Sequence, residues 1–194
     1  MTILEVLAVM LAIAYIVLAV KENIWCWVAG FCSTLIYLYL FFNSQLYSES
    51  LLQIFYLAMS VYGWVSWQRI DHSNFQHGKQ NHARKIVRQL PLSMHIKIIL
   101  IGSLSALLLG SLMQYFFHAA LAYIDAATTI FAIISTYLVT QKIIENWLYW
   151  IAIDALSIYM YIVKGFYLTS LLFGLYIVLS ITGYYAWKKH LRSI

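Results

Sequence analysis

The chain of 194 residues is 63% hydrophobic and only 10% charged, and its mean hydropathy is +0.80. A water-soluble domain of this size could not cover its surface with so few charged side chains, which excludes soluble enzymes and soluble binding domains. The net charge of +5 comes from cations in short polar segments. Because no folded basic domain carries these cations, they do not indicate a nucleic-acid partner.

Seven apolar stretches follow one another along the chain. Each is close to the ~20 residues that a helix needs to cross ~30 Å of hydrocarbon. They lie at about 3–20, 24–43, 51–68, 95–117, 120–140, 147–163 and 167–187. Their apolar residues run continuously instead of alternating as in a membrane barrel. The sequence therefore predicts an all-α integral membrane protein with seven transmembrane helices.

A polar segment divides the predicted helices into two groups. We predict a first three-helix repeat, a cytoplasmic loop, a linker helix, and a second three-helix repeat with the cytoplasmic C-terminus, at residues 1–68, 69–94, 95–117 and 118–194. The loop holds His72, His77 and His82, which could bind a regulatory metal ion. A solvated linker is the stronger interpretation, so we expect no metal site and no cofactor.

Residues 21–67 and 142–187 resemble each other as two copies of one module. Each copy begins with Glu-Asn-x-x-x-Trp and ends with Gly-aromatic-x-x-Trp. The motifs at the start of the two copies pair Trp27 with Trp150, so the copies lie 123 residues apart there. From Tyr47 onward, equivalent residues of the two copies lie 120 residues apart. In so apolar a chain, a parallel repeat is typical of a small-molecule carrier whose site lies where the halves face each other.

The predicted sixth helix carries five residues at steps of three, four, three and four, namely Trp147, Trp150, Asp154, Ser157 and Tyr161. At 3.6 residues per turn they share one face. A charged aspartate at the bilayer centre costs ~2.5–3.5 kcal/mol, so Asp154 needs a partner, water or a ligand. Hydrogen bonds from neighbouring side chains would give it a structural role. Aromatic faces around a carboxylate also suit a flat, cationic heteroaromatic ring, which indicates a binding site.

Other predicted helices offer further polar and aromatic candidates at membrane depth. Asp125 lies nearer the outer end of its helix, where it could be a gate, a binding residue or a structural cap. The amide of Gln53 could donate hydrogen bonds to a ligand and accept them from it. The other candidates for substrate binding are Trp27, Thr34, Tyr37, Tyr56 and Thr128. Hydroxyl stripes join helices more often than they bind solute, so that alternative stays open for these residues.

A membrane enzyme is the main alternative from another class. It would need a nucleophile and a base, or a metal cluster, at membrane depth. No histidine lies deep in a predicted span, with only His118 near an outer end, and no HExxH, GxSxG or Walker motif occurs. We therefore expect a carrier that has no catalytic residues and does not use ATP directly.

Five short segments are specific in combination: Glu145-Asn146-Trp147-x-x-Trp150, Lys164-Gly165-x-Tyr167, Leu52-Gln53, Tyr62-Gly63-Trp64-x-x-Trp67 and Gly183-x-x-x-Trp187. Together they resemble the Pnu family of bacterial B-vitamin transporters, over essentially the whole chain. The resemblance implies a three-plus-one-plus-three helix arrangement, similar to that of SWEET transporters, and a homotrimer. It also implies uptake of a vitamin by facilitated diffusion across the bacterial inner membrane, with a cytoplasmic vitamin kinase trapping the product.

The same resemblance implies that Trp27, Gln53, Trp150 and the position of Asp154 hold the substrate. Nicotinamide riboside transporters of this family have asparagine where this chain has Asp154. A neutral amide suits a ribosyl hydroxyl or a carboxamide, whereas a carboxylate suits an aminopyrimidine or a cationic thiazolium. Thiamine offers both of the latter groups, so thiamine is the first expectation and nicotinamide riboside the alternative. Proton coupling through Asp125 or Asp154 is an alternative to facilitated diffusion.

Basic residues give the predicted orientation. Seven spans place 11 of the 12 Lys and Arg residues on one side of the membrane and only Lys164 on the other. Cytoplasmic connections are enriched in Lys and Arg, so we expect the N-terminus outside and the C-terminus in the cytoplasm.

A reporter fused after Ile194 should therefore behave as cytoplasmic, and one fused after Lys164 as periplasmic, because the two positions lie on opposite sides of the predicted membrane. Paired alkaline phosphatase and fluorescent-protein fusions in cells measure this. Periplasmic activity of the Ile194 fusion would contradict the predicted seven-helix topology.

Overall fold

The computed structural model describes residues 3–43, 47–77, 87–117 and 121–191. These residues form α1 (Ile3–Val20), α2 (Cys26–Asn43), α3 (Tyr47–His77), α4 (Leu92–Phe117), α5 (Ala122–Thr140), α6 (Asn146–Val163) and α7 (Tyr167–Lys188). Within these four ranges no β-strand occurs, and the only β pairings are two isolated bridges. The predicted all-α fold class is confirmed.

Six of the seven helices are long and apolar enough to cross a membrane, and the chain is a multi-pass membrane protein. The exception is α3, which contains the predicted span 51–68. Polar side chains, among them Gln53, Ser60 and Ser66, lower the mean hydropathy of this helix.

The ends of two helices differ from the prediction. α3 continues to His77 because no glycine or proline interrupts residues 69–77. The first part of the predicted loop 69–94 is therefore helical. α4 begins at Leu92, directly after Pro91, because proline has no N–H to donate and is tolerated at the start of a helix.

The helices pack as two compact units. The first consists of α1, α2 and α3 together with Thr140–Lys142 and the chain from Ala186 onward. The second consists of α4, α5 up to Val139, α6, and α7 up to Tyr185. The linker helix therefore belongs with the second repeat, and the ends of α5 and α7 belong with the first.

Trp27 forms the centre of the first unit. Its ring is only 2% exposed and contacts Tyr15 of α1 and Trp67 of α3 edge-on, with 5.8 and 5.4 Å between ring centroids. A Cβ atom on Gly63 would lie 2.5 Å from the Trp27 indole. Helices α2 and α3 can approach this closely only because position 63 has no side chain.

The second unit repeats this packing with Trp147 and Gly183, where a Cβ atom would lie 2.7 Å from the indole. The turns that precede the two tryptophans also match. Glu22 and Lys142 have φ angles of +50° and +52°, and the residue after each donates its N–H to a carbonyl five residues back, at 2.9 and 3.0 Å. Trp27 therefore corresponds to Trp147, and an offset of 120 residues holds throughout the repeat.

The predicted offset of 123 residues at the start of the repeat is wrong. It matched Glu-Asn in both turns, but these residues occupy different positions in the turns. Glu22 itself has the positive φ, whereas Glu145 lies three residues after its counterpart Lys142. Trp150 consequently corresponds to Gly30 and not to Trp27. A two-residue match in a short turn does not establish that the matched residues occupy equivalent positions. The contact between tryptophan and glycine does, because it fixes where the two helices cross.

A polar cluster attaches the start of α4 to the start of α6. The N–H of Ile144 donates a hydrogen bond to the carbonyl of Arg88 at 2.9 Å. The Nδ1 atom of His95 on α4 lies 3.0 Å from the hydroxyl of Tyr149, and its Nε2 atom lies 3.7 Å from Oε1 of Glu145. These contacts explain why the linker helix packs with the second repeat.

Gly63→Ala and Gly183→Ala should each lower the free energy of unfolding by about 1–3 kcal/mol, because the new methyl group overlaps a buried indole that has no room to move. Gly174→Ala is the matched control. Nothing lies within 4 Å of a Cβ atom at position 174, so this variant should be neutral or slightly stabilised. Thermal unfolding of the purified protein measures all three, and equal behaviour would contradict the packing assigned to the two tryptophans.

Candidate functional site

The predicted stripe of α6 lies on the buried face of that helix. Trp147, Asp154 and Ser157 are buried, and Trp150 and Tyr161 are half-buried. The opposite face of α6 carries exposed leucine and tyrosine side chains, which suit contact with lipid. The helical period of the stripe thus corresponds to a real difference between the two faces of α6.

Asp154 is the most unusual side chain on this face. It is only 2% exposed, yet its carboxylate has no hydrogen bond or ion pair to any residue that the structure describes. Ser157, one turn further on, is 4% exposed, and its hydroxyl likewise lacks a partner in those ranges. A buried carboxylate without a partner costs several kcal/mol. This pair of polar groups is therefore the strongest sign of a ligand site in the second unit.

The two ends of the stripe are packed against α7, whereas its middle is not. Trp147 lies against Gly183, and Tyr161 stacks on Phe173 with 5.3 Å between ring centroids. Trp150 makes no ring contact with the described residues and is half-buried. The part of the stripe that can receive a ligand is thus narrowed to Trp150, Asp154 and Ser157. Substrate contacts by Trp147 and Tyr161 stay predictions.

The two candidates on α5 differ in how they are bonded. The Thr128 hydroxyl donates to the carbonyl of Asp125 in its own helix at 2.9 Å, as hydroxyls in membrane helices often do. Asp125 is half-buried, and its carboxylate has no partner among the described side chains. Ser135, further along α5, is fully buried, and its hydroxyl has no partner in the described chain. The roles of Asp125 and Thr128 in binding stay predictions.

In the first unit, the candidates other than Trp27 are half-buried. The amide of Gln53 has no partner within the ranges described, which leaves its donor and acceptor available. Tyr56 contacts the neighbouring ring of Phe55, and Tyr37 stacks on Phe41. Substrate binding by Gln53, Tyr56, Tyr37 and Thr34 stays a prediction, as does that by Trp27, whose ring is enclosed in the core.

The uniform offset of 120 residues reveals an asymmetry between the repeats. Asp154 corresponds to Thr34, and Trp150 corresponds to Gly30. Only the second repeat therefore combines an indole with a carboxylate at these positions. Sequence reasoning missed this because the offset of 123 paired Trp150 with Trp27.

A second polar and aromatic cluster lies in the first unit, at the ends of α1, α3 and α7. The rings of Trp27, Trp67 and Trp187 follow one another with centroid distances of 5.4 and 6.1 Å. The Nζ atom of Lys142 lies 4.9 Å from the centre of the Trp67 ring, and the lysine is fully buried. From the sequence, Lys142 was expected as a cation of a cytoplasmic connection and as the first residue of the second repeat copy.

Hydrogen bonds join the end of α7 to the turn after α1 in this cluster. The indole N–H of Trp187 donates to the carbonyl of Ala19 at 3.0 Å. Nδ1 of His190 lies 2.6 Å from Oε1 of Glu22, whose side chain is 1% exposed. The second carboxylate oxygen of Glu22 and the indole N–H of Trp27 are buried without a hydrogen-bond partner among the described residues. Because the rest of the cluster is densely packed and bonded, we assign it a structural role.

No group of three potential metal-ligating side chains occurs in the portion of the chain that the structure describes. The side chains of the predicted histidine-containing segment, His72, His77 and His82, lie outside that portion.

Residues 2–189 match the nicotinamide mononucleotide transporter family. The chain is 26% identical over 200 residues to the nicotinamide riboside transporter PnuC of Escherichia coli (strain K12), a match that covers 91% of this chain and 81% of that protein. The protein of the same name from Shigella flexneri matches with the same identity and coverage. The structure is similar to the crystal structure of the vitamin B3 transporter PnuC, with a TM-score of 0.72, 20% sequence identity, and coverage of 96% of this chain and 80% of that one. At that identity the likeness shows the fold alone.

Proposed function

The chain belongs to the nicotinamide mononucleotide transporter family, and we propose that it carries nicotinamide riboside across the bacterial inner membrane. The curated relatives are named for that substrate and match most of the chain. The single structural observation that supports a binding site for such a molecule is the buried, unpartnered carboxylate of Asp154 beside the open indole of Trp150.

Thiamine, the first expectation from the sequence, is not supported by the relatives. That expectation depended on one residue, the aspartate at position 154. Nicotinamide riboside contains an N-ribosylated pyridine ring, which is itself a cation. A carboxylate therefore suits it as well as it suits a thiazolium, so Asp154 does not distinguish the two vitamins.

The chemistry of the site fits a ribosylated pyridinium in three ways. The flat cationic ring can stack on the face of Trp150, where cation–π attraction adds to dispersion. The carboxylate of Asp154 compensates the positive charge of the ring. The hydroxyl of Ser157, one turn along the same face, is available to a ribose hydroxyl or to the carboxamide.

For the transport mode we propose facilitated diffusion. A cytoplasmic kinase then phosphorylates the nicotinamide riboside that has entered, and the phosphorylated vitamin cannot return through the carrier. We also propose a homotrimer, with the N-terminus outside and the C-terminus in the cytoplasm. The absence of a nucleotide-binding motif from the sequence supports a mode that does not use ATP directly. The curated relatives are transporters, and no catalytic activity is part of the proposal.

The role of charge at position 154 can be tested with nicotinamide riboside and its uncharged dihydro form, which differ in the charge of the pyridine ring. The parent protein should prefer the cationic form, and Asp154→Asn should reduce that preference about tenfold or more, because a charge-assisted contact contributes ~1.5–3 kcal/mol. Isothermal titration of the purified protein measures both affinities.

Trp150→Ala should weaken both forms of the ligand through loss of stacking. Trp25→Ala, which removes a 60% exposed indole in the turn before α2, is the matched control and should bind like the parent. Thermal unfolding of each variant checks that the fold is intact. An unchanged preference in Asp154→Asn would mean that the carboxylate is structural.

In proteoliposomes, labelled nicotinamide riboside should equilibrate with no proton or sodium gradient, and thiamine should compete only weakly. Counterflow, in which labelled substrate outside exchanges for unlabelled substrate inside the vesicles, measures this transport in the absence of the phosphorylating kinase. Accumulation that requires a proton gradient would reject facilitated diffusion, and Asp125→Asn and Asp154→Asn would then locate the coupling residue. Transport of thiamine in preference to nicotinamide riboside would reject the proposed substrate.

A further inference from the structure

A half-open groove of about 580 Å³ lies on the first unit, alongside the second half of α3. It is formed mainly by one face of α3 and is completed by one residue from the turn after α5. Its principal lining residues are Ala58, Val61, Tyr62, Val65, Arg69 and Gln141.

The groove lies on the opposite face of α3 from the predicted substrate stripe. At 3.6 residues per turn, Ala58, Val65 and Arg69 point roughly half a turn away from Gln53 and Tyr56. Val61 and Tyr62 are 55% and 44% exposed, as expected for residues that face the surrounding lipid. The groove is therefore not part of the proposed substrate path.

The polarity of the groove changes along its length. The small apolar residues Ala58, Val61 and Val65 line its first part. Its second part is lined by Arg69, Gln141 and the hydroxyls of Tyr62 and Ser66, together with the apolar side chain of Ile70. Ala58 and Arg69 are eleven residues apart, which corresponds to ~17 Å along a helix. One leaflet contributes about half of the ~30 Å hydrocarbon thickness, so the groove has the length of one leaflet.

Hydrogen bonds fix the polar end of the groove. The Nε2 atom of Gln141 donates to the hydroxyl of Tyr62 at 3.1 Å and lies 3.4 Å from that of Ser66. Ser66 in turn donates to the carbonyl of Thr140 at 2.9 Å. These bonds hold the turn after α5 against α3, so this end of the groove is built by residues distant in sequence.

Arg69 gives the groove a positive charge at one end. It is exposed, has no ion pair or hydrogen bond to any described residue, and no acidic side chain lines the groove beside it. Arg69 directly follows the predicted span 51–68, where the membrane interface is expected. A guanidinium at that depth can bind a phosphate with paired hydrogen bonds.

We propose that this groove binds one anionic glycerophospholipid. The phosphate group binds Arg69 next to the amide of Gln141, and an acyl chain lies along Val65, Val61 and Ala58 towards the middle of the membrane. Charge complementarity at one end, apolar lining at the other, and a length equal to one leaflet together specify a lipid. A second copy of this chain is the alternative occupant of the groove. Binding of a second copy would not by itself explain why Arg69 lies at one end of the groove with no ion pair to a described residue.

Native mass spectrometry of the purified full chain with graded phosphatidylglycerol tests this. The parent should retain one tightly bound lipid per chain. Arg69→Gln should weaken phosphatidylglycerol binding about ten- to a hundredfold, because it removes the charge-assisted contact with the phosphate. Val61→Trp should weaken binding as well, because the larger ring fills the apolar part of the groove.

Two matched variants serve as controls. Lys97→Gln removes an exposed cation of α4, and Val178→Trp enlarges a valine of α7 that is 55% exposed, like Val61. Both should retain the lipid. Equal binding by all four variants would overturn the proposal. Displacement of the lipid by millimolar inorganic phosphate would also overturn it, by showing a site for free anions. A changed oligomeric state in Val61→Trp with lipid binding unaltered would show that a second copy covers the groove.

Discussion

Each of the two units of this protein is held together by one indole ring that packs on a glycine, Trp27 on Gly63 in the first unit and Trp147 on Gly183 in the second. In a membrane the hydrophobic effect does not drive helices against each other, because lipid tails are as apolar as the helix surfaces. Association depends on close approach, and Gly63 and Gly183 allow it. The contact of Trp147 with Gly183 also fixes the rotation of α6 about its axis. Because Trp147 and Asp154 lie on the same face of α6, that contact turns the carboxylate towards the protein and away from lipid.

The buried carboxylate of Asp154 on α6 lowers the stability of the fold locally, because it has no partner among the described residues. Several hydroxyls of the described helices, among them those of Ser60, Thr128 and Thr136, donate to a carbonyl of their own helix, as hydrocarbon favours. No hydrogen bond from a described residue offsets the desolvation of the Asp154 carboxylate. Its counterpart in the first repeat is Thr34, whose uncharged hydroxyl costs less free energy to bury. A second carboxylate at position 34 would add a desolvation cost of its own.

Sequence reasoning predicted the helices because the membrane limits both length and secondary structure. It predicted the α6 stripe because five residues at helical spacing define a face whatever surrounds it. It could not say which members of the stripe remain open, since that depends on Gly183 and Phe173 of another helix. It also placed Lys142 in a cytoplasmic connection and did not predict that this lysine is buried with its ammonium group over the Trp67 ring.

The offset of 123 residues was wrong, and the relatives do not support the first expectation of thiamine, for a related reason. Each depended on a very short pattern, a Glu-Asn pair in a turn and one aspartate in a helix. A turn motif fixes no contact with the rest of the fold, and a carboxylate recognises positive charge without recognising the molecule that carries it. The packing of each tryptophan and the similarity along the whole chain involve many residues at once, so they constrain the answer more strongly.

The exchange of segments between the repeats has a consequence for how such a gene can change. Lys142 and the end of α7 come from the second repeat but pack in the first unit, where Trp187 donates a hydrogen bond to Ala19. If the gene were divided between the repeats, the first product would lose Lys142 and Trp187, which both contact the Trp67 ring, and with Trp187 the donor for the Ala19 carbonyl. Two half-size chains could therefore rebuild this fold only by exchanging these segments with each other, and recombination with a related gene preserves the fold only where it keeps the exchanged segments matched.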